Sequence, residues 1–318
     1  MVILVTGVAG FIGSYVAKAL IDRGDQVIGI DNFNSYYNPK LKEARINDFL
    51  DGYDLKLYRL DLADFSGLKK VFSENRIDKI CHLGAQAGVR YSLENPELYI
   101  QSNIVGTHNL LELAKQNEVK DFIFASSASV YGGNTKVPFS ESDPVTNPVS
   151  VYAATKRTNE LQAHVYHHLF GLNCFGLRFF TVYGPWGRPD MAFFKFSPLI
   201  SSGQPIEVYN HGQHRRDFTY IDDIVAGVLA AVDRCAGYEI FNLGNNQPVG
   251  LERLIELLES NLGKKAKKNY LPLQPGDVIE TYADISKAKK VLGYQPKTKI
   301  EEGIKNFVSW YKDYQAIL

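Results

Sequence analysis

A glycine-rich turn between a short apolar run and a helical segment constrains the fold of this chain more than any other feature. Residues 2–5 (VILV) are apolar and partly β-branched, which predicts a buried strand. Gly7, Gly10 and Gly13 follow at once, and residues 14–23 are predicted to form a helix. Glycines in this position permit a tight turn and let backbone N–H groups approach a pyrophosphate at the helix N-terminus. No Lys-Ser/Thr pair follows the glycines, which excludes a P-loop.

An acidic residue at the end of the next predicted strand specifies the nucleotide. Residues 26–30 are predicted to form this strand, and Asp31 follows it. An acid in this position hydrogen-bonds the adenosine ribose hydroxyls of a dinucleotide and repels a 2′-phosphate. A turn or helix-cap role for Asp31 is the alternative, which the Asp-Asn-Phe-Asn sequence also permits. Strand, glycines, helix, strand and acid together form the βαβ fingerprint, so the sequence predicts NAD rather than NADP.

Predicted strands and helices continue to alternate after Asp31. Strands are predicted at 55–60, 79–83 and 121–125, and helices at 68–72 and 97–116. This alternation predicts an α/β fold, a Rossmann-like doubly wound parallel sheet with a smaller α/β substrate-binding domain. Ligands of such sheets bind beyond the carboxyl ends of the strands. Small or polar residues form a rim at those ends: Gly7, Asp31, Asp61, Gly84 and Ser127.

Charge and cysteine content narrow the class of protein. Lys and Arg number 35 and balance 35 Asp and Glu, so no global charge favours nucleic acid or a membrane surface as a partner. No apolar run is long enough to span a bilayer, and no signal peptide precedes the first strand, so we expect a cytoplasmic protein. Three scattered cysteines without paired spacing also favour a reducing compartment.

Tyr152 and Lys156 are the strongest candidates for catalysis. They stand four residues apart at the start of a helix-compatible run, which puts both on one helix face. Tyrosine alone is a poor base with a pKa of about 10, and a nearby ammonium favours the phenolate and lowers that pKa. Such a phenolate can take a proton from a hydroxyl while a hydride leaves the same carbon. Tyr36 and Lys40 have the same spacing by chance, but Pro39 interrupts a helix between them.

The motifs that carry these residues recur in the same order in a known family. VTGVAGFIGS, DNFNSYY, ASSASVYG, VYAATK, RRDFTYIDD and LQPGDV resemble the extended short-chain dehydrogenase/reductases, and among them the NAD-dependent nucleotide-sugar 4-epimerases. The stretches QAGVRYSLENP and RFFTVYGPWGRPDMAFFKF are most similar to UDP-glucuronate 4-epimerases. The resemblance implies an isomerase that converts UDP-glucuronate to UDP-galacturonate through a 4-keto intermediate.

The resemblance also implies roles for individual residues. Ser127 and Tyr152 would flank the sugar C4 hydroxyl, and Lys156 would contact the nicotinamide ribose. Arg216 and Asp277 would anchor the phosphate and the uridine ribose. Residues implied to form the NAD site are Gly7, Gly10, Phe11, Ile12, Gly13, Asp31, Asn32, Asp61, Leu62, Gly84, Ala85, Gln86, Asn103, Tyr152 and Lys156, with Asp61 at the adenine and Asn103 as a brace for the active-site helices.

The residue before the Val-Tyr-Gly of the serine-rich loop bears on the type of reaction. Related decarboxylases and 4,6-dehydratases typically carry glutamate there, whereas this chain has Ser129. Serine is not a general base near neutral pH without an activating partner. We therefore expect Ser129 and Thr181 to hold a sugar carboxylate, with Arg90 and Arg188 as cations for the carboxylate or the phosphates. A bond from Ser129 to its own backbone, and ion pairs for the arginines, are the alternatives.

The predicted elements divide into two domains. Residues 1–180 with about 215–245 are expected to form the NAD-binding domain, and about 181–214 with 246–318 the nucleotide-sugar-binding domain. The family resemblance implies a homodimer in which helices 97–116 and 152–169 pair as a four-helix bundle.

Other functions remain open at this point. His164 and His168 stand four apart, but without an intervening Glu or a third ligand we predict no metal site. A 4-epimerase for UDP-glucose or UDP-N-acetylglucosamine, a UDP-glucuronate decarboxylase and a non-catalytic NAD-sensing module are the alternatives. The presence together of Ser127, Tyr152 and Lys156 argues against the last of these.

Overall fold

The computed structural model describes residues 1–273 and 278–315 of the 318-residue chain. Within these ranges the strands are β1 Val2–Thr6, β2 Gln26–Asp31, β3 Leu55–Arg59, β4 Lys79–His82, β5 Asp121–Ser127, β6 Asn173–Phe179, β7 Thr181–Tyr183, β8 Pro205–Val208, β9 Arg215–Tyr220, β10 Tyr238–Leu243, β11 Pro248–Gly250, β12 Lys267–Tyr270 and β13 Glu280–Thr281. The α-helices are α1 Phe11–Asp22, α2 Pro39–Ala44, α3 Phe65–Glu74, α4 Tyr91–Glu94, α5 Pro96–Tyr99, α6 Gly106–Gln116, α7 Val151–Phe170, α8 Ala192–Ser202, α9 Ile221–Arg234, α10 Leu251–Leu262, α11 Ser286–Leu292 and α12 Ile300–Tyr314.

The largest sheet in the described ranges has seven parallel strands in the order β10-β6-β5-β4-β1-β2-β3. Chain connections diverge to opposite sides of β1, whose neighbours are β2 and β4. A parallel doubly wound sheet opens a crevice at this switch point, beyond the carboxyl ends of its strands. The predicted Rossmann-like α/β fold is confirmed.

Alternating side chains explain why helices cover both faces of this sheet. Ile3 and Val5 of β1 belong to one core, which α1 and α9 complete. Leu4, between them, belongs to a second core with Leu68 of α3 and Leu110 of α6. All five side chains are fully buried. The strands are therefore apolar on both faces, and polar groups concentrate at the strand ends.

A smaller sheet lies beside the large one. Strand β9 pairs in parallel with β7 and β13 and antiparallel with β11, and β8 pairs separately with β12. Aromatic side chains of α8 and α12 pack together, with Phe193 and Phe307 ring centroids 4.8 Å apart. Strand β10 joins the large sheet, whereas β9 joins the small one. The division into two domains stays a prediction.

The predicted helix 97–116 is interrupted. Its observed parts are α5, a π-helical segment Ile100–Val105, and α6. Single π-helical turns within helices often occur at functional sites because they redirect side chains. Asn103 lies in this π-helical segment and is buried.

Within residues 1–273 and 278–315, none of the helices has the length and apolarity needed to cross a lipid bilayer. Likewise, no cluster of three or more His, Cys, Asp or Glu side chains there is arranged to hold a metal ion. The rings of His164 and His168 lie 6.4 Å apart on an exposed face of α7.

Candidate active site

The glycine turn after β1 is packed so closely that side chains do not fit in it. Gly7 has φ +71°, a conformation that favours glycine, and its N–H donates to Ile30 O at 2.7 Å. A Cβ atom on Gly7 would lie 2.7 Å from Gly84 Cα, and one on Gly13 would lie 2.0 Å from Gly7 O. Gly10 caps α1 with extended backbone. The turn thus brings the start of α1 to the crevice between β1 and β4.

Asp31 fixes the loops on either side of the nucleotide end of this crevice. Its carboxylate accepts the N–H of Ala9 at 3.1 Å and that of Phe33 at 2.8 Å. Next to it, Asn32 Nδ2 donates to Asp61 Oδ2 at 2.7 Å. Asp31 therefore does stabilise a turn, as the sequence also permitted. It still lines the cavity that lies along this edge of the sheet.

Lys42 is a buried cation at the same end that the sequence reasoning missed. Its Nζ donates to Asn34 Oδ1 at 2.9 Å, and the side chain lines the cavity with Asp31. Burial lowers the pKa of Lys42, and the Asp31 carboxylate opposes that change. No spacing signal marks this lysine, because it reaches the cavity through the placing of α2 and its contact with Asn34.

A cavity of about 440 Å³ runs along this edge of the sheet. Most residues predicted for the cofactor line it: Gly7, Gly10, Phe11, Ile12, Gly13, Asp31, Asn32, Leu62, Gly84, Ala85, Gln86, Tyr152 and Lys156. Asp61 and Asn103 are not among its lining residues. Asn103 lies behind the wall, where it accepts from Gln86 N at 2.8 Å and donates to Gln86 O and Thr155 Oγ1, each at 3.0 Å. The position of Asn103 fits the predicted role as a brace. Direct contact of Asp61 or Asn103 with a cofactor stays a prediction.

Helix α7 brings the two predicted catalytic side chains to this cavity. Ser150 caps the helix by accepting from Ala153 N at 3.1 Å, so the helix starts just before Tyr152. One turn later, Lys156 is buried and its Nζ donates to Ala125 O of β5 at 2.9 Å. Burial lowers the pKa of Lys156 to about 7. Its ammonium is thus easily deprotonated, unlike that of an exposed lysine.

His82 supports the cavity floor as a neutral group. Its ring lies 2.7 Å from Thr6 Oγ1 and 2.9 Å from Thr107 Oγ1, and Thr6 Oγ1 also accepts from Gly84 N at 3.0 Å. Burial, together with the nearby Lys156, lowers the pKa of His82 to about 3. The imidazole is therefore uncharged at neutral pH and ties β1, β4 and α6 together beneath the glycines.

The electrostatics of Tyr152 differ from the expectation. Burial raises the pKa of the Tyr152 phenol, and among its neighbours Arg188 opposes that rise most, followed by a hydrogen bond with Ser127. Asp190 acts in the opposite direction to Arg188. Lys156 is not among the main influences on this pKa, and its Nζ donates to Ala125 O. The lowering expected from Lys156 together with a nicotinamide cation stays a prediction for the cofactor-bound site.

Arg188 is held by an ion pair within its own loop. Its Nε donates to Asp190 Oδ1 at 3.0 Å, and Tyr36 OH donates to Asp190 Oδ2 at 3.1 Å. Asp190 and Tyr36 were both missed by the sequence reasoning. Tyr36 was set aside because of Pro39, which in fact begins α2 and leaves Tyr36 in the loop before it. Arg188 remains on the cavity wall despite this pair.

A second cavity, of about 990 Å³, joins the first where Ser127, Ser129 and Thr181 line both. Ser127 Oγ lies 3.2 Å from Ser129 Oγ and accepts from Ser129 N at the same distance. Ser129 therefore bonds Ser127 rather than its own backbone. Hydroxyls from β5, the loop after it and β7 thus converge at the junction of the two cavities.

Two of the three remaining predicted substrate residues, Arg90 and Arg216, line the second cavity. Arg90 lies over the ring of Tyr209, 5.5 Å from its centroid, and both side chains line the wall. Arg216 lines it too, with Nη1 3.0 Å from the carbonyl oxygens of Arg215 and Ile279. Asp277 lies outside the described residues. The structure therefore places two of these three side chains at the same cavity.

Comparisons with known proteins agree with this geometry. The family model for GDP-mannose 4,6 dehydratase matches residues 4–307. UDP-glucuronate 4-epimerase of Thermodesulfobacterium geofontis is 48% identical over 311 residues, 98% of this chain and 96% of that protein. UDP-glucuronate 4-epimerase 1 of Arabidopsis thaliana is 50% identical over 331 residues, 98% of this chain and 77% of that protein.

A solved structure is similar along its whole length. The UDP-glucuronic acid 4-epimerase of Bacillus cereus, in complex with UDP-glucuronic acid and NAD, superposes with a TM-score of 0.91 at 36% identity, over 98% of this chain and 99% of that chain. The chain belongs to the extended short-chain dehydrogenase/reductase family, in the group of sugar-nucleotide enzymes that the GDP-mannose 4,6-dehydratase model describes.

Proposed function

We propose that this protein is an NAD-dependent 4-epimerase that interconverts UDP-glucuronate and UDP-galacturonate. The observation that carries the proposal is the meeting of Ser127, Tyr152 and Lys156 at one cavity, where it joins a second cavity beside Ser129 and Thr181. The likeness to UDP-glucuronate 4-epimerases along nearly the entire chain supports the same reaction.

The residues of the first cavity fit NAD. Gly7 and Gly13 allow a tight turn in which a Cβ atom would collide with backbone, both line the cavity, and Asp31 presents a carboxylate suited to ribose hydroxyls. Gln86 Nε2 is a buried donor without a protein partner among the described residues, as expected for a group that awaits a ligand. When bound, NAD supplies a hydride acceptor and donor for C4 of the sugar. We assign its diphosphate to the start of α1 and its nicotinamide end to Tyr152 and Lys156.

The protons of the reaction are handled by Tyr152. In our proposal the phenolate takes the proton of the C4 hydroxyl as the 4-keto sugar forms, and the phenol returns it in the second half of the reaction. Ser127 donates a hydrogen bond to the same oxygen. Because Arg188 favours the phenolate and burial opposes it, the balance between them sets the pH at which Tyr152 works.

The hydroxyls at the junction favour a uronate that keeps its carboxylate. Ser129 and Thr181 are neutral donors there, and a hydrogen bond to a charged acceptor is stronger than one between neutral groups. A glutamate at position 129 would repel the sugar carboxylate and supply a base for C5. With serine in its place, the 4-keto sugar is neither deprotonated by that residue nor driven toward loss of CO₂, so epimerisation is the outcome that we propose.

The test is incubation of the purified protein with UDP-glucuronate without added NAD, followed by NMR of the sugar product. Appearance of UDP-galacturonate supports the proposal. A UDP-pentose with CO₂ would instead identify a decarboxylase. Turnover of UDP-glucose or UDP-N-acetylglucosamine in preference to the uronate would identify a neutral-sugar epimerase. No turnover of any of them, with NAD bound, would leave an NAD-sensing module.

We further propose a homodimer in a reducing compartment such as the cytosol. Leu161, Val165 and Leu169 form an exposed apolar stripe along α7, with Leu98 and Ile100 exposed on the neighbouring segment. Burial against the same face of a second copy would make a four-helix bundle. The free, buried state of all three cysteines is consistent with a reducing compartment. Light scattering of wild type and of Val165→Glu tests the dimer, which the charge should dissociate.

A further inference from the structure

Arg45 is a completely buried cation outside the roles described above. It begins a π-helical segment, Arg45–Phe49, directly after α2, and its side chain has no exposed surface. Its hydrogen bonds go to uncharged oxygens. Nη1 donates to Ala9 O at 3.0 Å and Tyr37 OH at 2.6 Å, and Nε and Nη2 donate to Trp186 O at 3.0 and 2.7 Å. A buried charge needs such partners to offset the loss of water.

One end of this guanidinium fixes the glycine turn. The carbonyl of Ala9 accepts from Arg45, and the N–H of Ala9 donates to Asp31 at 3.1 Å. Both peptide units of Ala9 are therefore held from outside the turn. The start of α1, which lines the cavity, thus keeps its place where a dinucleotide diphosphate would bind.

The other end holds a strained turn just before Arg188. Trp186 has φ +60°, a backbone conformation that is unfavourable for a bulky side chain. Such residues persist where their surroundings determine them from several sides. Here Arg45 binds the carbonyl of Trp186 twice and that of Gly187 at 3.1 Å, while the ring of Phe49 lies 5.8 Å from the Trp186 ring.

We propose that Arg45 is a positioning residue that sets Arg188 beside Tyr152 and joins this placement to the dinucleotide-binding turn. The inference rests on the proposed function, because Tyr152 acts on the sugar there and Arg188 acts on Tyr152. A single rigid guanidinium bonds both loops, so a ligand that orders one loop also favours the ordered state of the other. Coupling of this kind is reciprocal between the two binding sites.

Fluorescence tests the hold on Trp186 without relying on activity. The chain has two tryptophans, Trp186 and Trp310, so Trp310→Phe leaves Trp186 as the single reporter. In this background we expect Arg45→Met to raise the acrylamide quenching constant at least about threefold, because the strained turn opens. Arg45→Lys keeps the positive charge but lacks the planar guanidinium. Its quenching constant should lie between those of wild type and Arg45→Met. Quenching unchanged in folded Arg45→Met would overturn the proposal.

Kinetics test the consequence for Tyr152. The groups that face its phenol are Arg188, Asp190, Ser127 and Tyr99, with Lys156 one turn along α7. In Arg45→Met, Arg188 should move away from Tyr152. The acidic limb of the pH profile of kcat/KM for UDP-glucuronate should then shift to higher pH by about one unit. Phe49→Leu is the matched control: it loosens packing on the Trp186 ring, leaves the carbonyl bonds in place and should keep the wild-type limb. An equal shift in Phe49→Leu would reduce Arg45 to a packing role and overturn the proposal.

Two conservative variants keep the test decisive if Arg45→Met does not fold. Arg45→Lys and Tyr37→Phe, which removes one acceptor of the guanidinium, should then shift both readouts in the same direction by smaller amounts. If both variants show the quenching constant and the acidic limb of the kcat/KM profile of wild type, the proposal is overturned. Failure of the wild type to epimerise would instead refute the proposed function, and the quenching of Trp186 would still decide whether Arg45 holds its turn.

Discussion

Arg188 lies close enough to Tyr152 to act on its phenol. Burial raises the pKa of Tyr152, and the Arg188 guanidinium is the strongest neighbouring influence that lowers it. Asp190 binds Arg188 and acts on Tyr152 with the opposite sign. The phenol of Tyr152, the proposed base, is therefore influenced by an ion pair on the loop after β7.

We expect Arg188→Gln to move the acidic limb of kcat/KM to higher pH by about one unit or more. Loss of the cation disfavours the phenolate, so activity near neutral pH falls and recovers as the pH rises. The double variant Arg188→Gln with Asp190→Asn should show a smaller shift, because it also removes the opposing carboxylate. pH–rate profiles of the three proteins test this, and a limb that does not move in Arg188→Gln would contradict it.

Tyr152→Phe should lower kcat by about 10²–10⁴-fold, the usual contribution of general acid–base catalysis. The ring and its packing remain, so the fold and the bound NAD should be retained. Tyr166→Phe on the same helix is the control and should keep wild-type kcat, because Tyr166 OH contacts Glu112 at 3.0 Å rather than the cavity. Single-turnover measurements give the rate of the chemical step in each protein. A near-normal rate in Tyr152→Phe would exclude this tyrosine as the base.

Gly13→Ala should abolish NAD retention. Its Cβ would lie 2.0 Å from Gly7 O, so the turn must move before the chain can fold around it. Gly250→Ala is the control, because a Cβ there meets no atom within 4 Å. The measurement is the nucleotide released from the denatured proteins, and a full complement of NAD in Gly13→Ala would refute the predicted site.

Thr181→Ala should raise KM for UDP-glucuronate about tenfold or more, or release CO₂, because a hydrogen bond to a charged group is worth about 1.5–3 kcal/mol. Thr181→Ser keeps the hydroxyl and should behave as wild type. Coupled assays for UDP-galacturonate and CO₂ separate the two effects. Unchanged KM without CO₂ release would remove Thr181 from the carboxylate site.

Glu160→Gln should destabilise the protein by about 3–5 kcal/mol, because it leaves the buried Arg178 without its counterion. Glu160 accepts from Arg178 at 2.8 and 2.9 Å and from Ser126 Oγ at 2.7 Å. Burial raises the pKa of Glu160, but Arg178, Ser126 and Arg157 together outweigh burial, so the net pKa is lowered. The ion pair therefore stabilises wild type fully above the pKa of about 4.3 that Glu160 has in the unfolded chain. This stabilisation is lost as the pH falls through the lower pKa of Glu160 in the folded protein.

Urea unfolding between pH 3 and pH 7 tests the pair. The difference between wild type and Glu160→Gln should be largest at neutral pH and shrink in acid. Glu256→Gln, which removes an exposed partner of Arg253, is the control and should change stability by less than about 1 kcal/mol. Equal stability of wild type and Glu160→Gln at pH 7 would show that the pair contributes nothing.

Local sequence was enough to predict the sheet and its ligand edge. Alternating apolar runs fix the strands, glycines at 7, 10 and 13 allow only a tight turn, and parallel strands bring their carboxyl ends to one side. For the same reason Gly7, Asp31, Gly84 and Ser127 could be placed on one rim. The spacing of Tyr152 and Lys156 needs only the period of a helix.

Side chains from distant segments could not be placed in this way. Lys42 reaches the cavity from α2, and Tyr36 and Asp190 reach it from loops, in positions that depend on tertiary packing and that no periodicity marks. The influence of Arg188 on the pKa of Tyr152 could not be predicted for the same reason. Spacing showed Lys156 one turn away, but the carbonyl of Ala125, on a different strand, takes its hydrogen bond.

By itself, the sequence determined the main elements, their parallel order, the glycine turn and the placing of Tyr152 and Lys156 on one helix face, because each depends on contacts within a short stretch or on the general geometry of a doubly wound sheet. Only the tertiary structure decided which cation faces the phenol, where Ser129 and Thr181 converge, and how Arg45 holds two loops together. Those relationships depend on burial and on distances of a few ångströms between residues far apart in the chain, which set the energies of charges and hydrogen bonds and which no local pattern encodes.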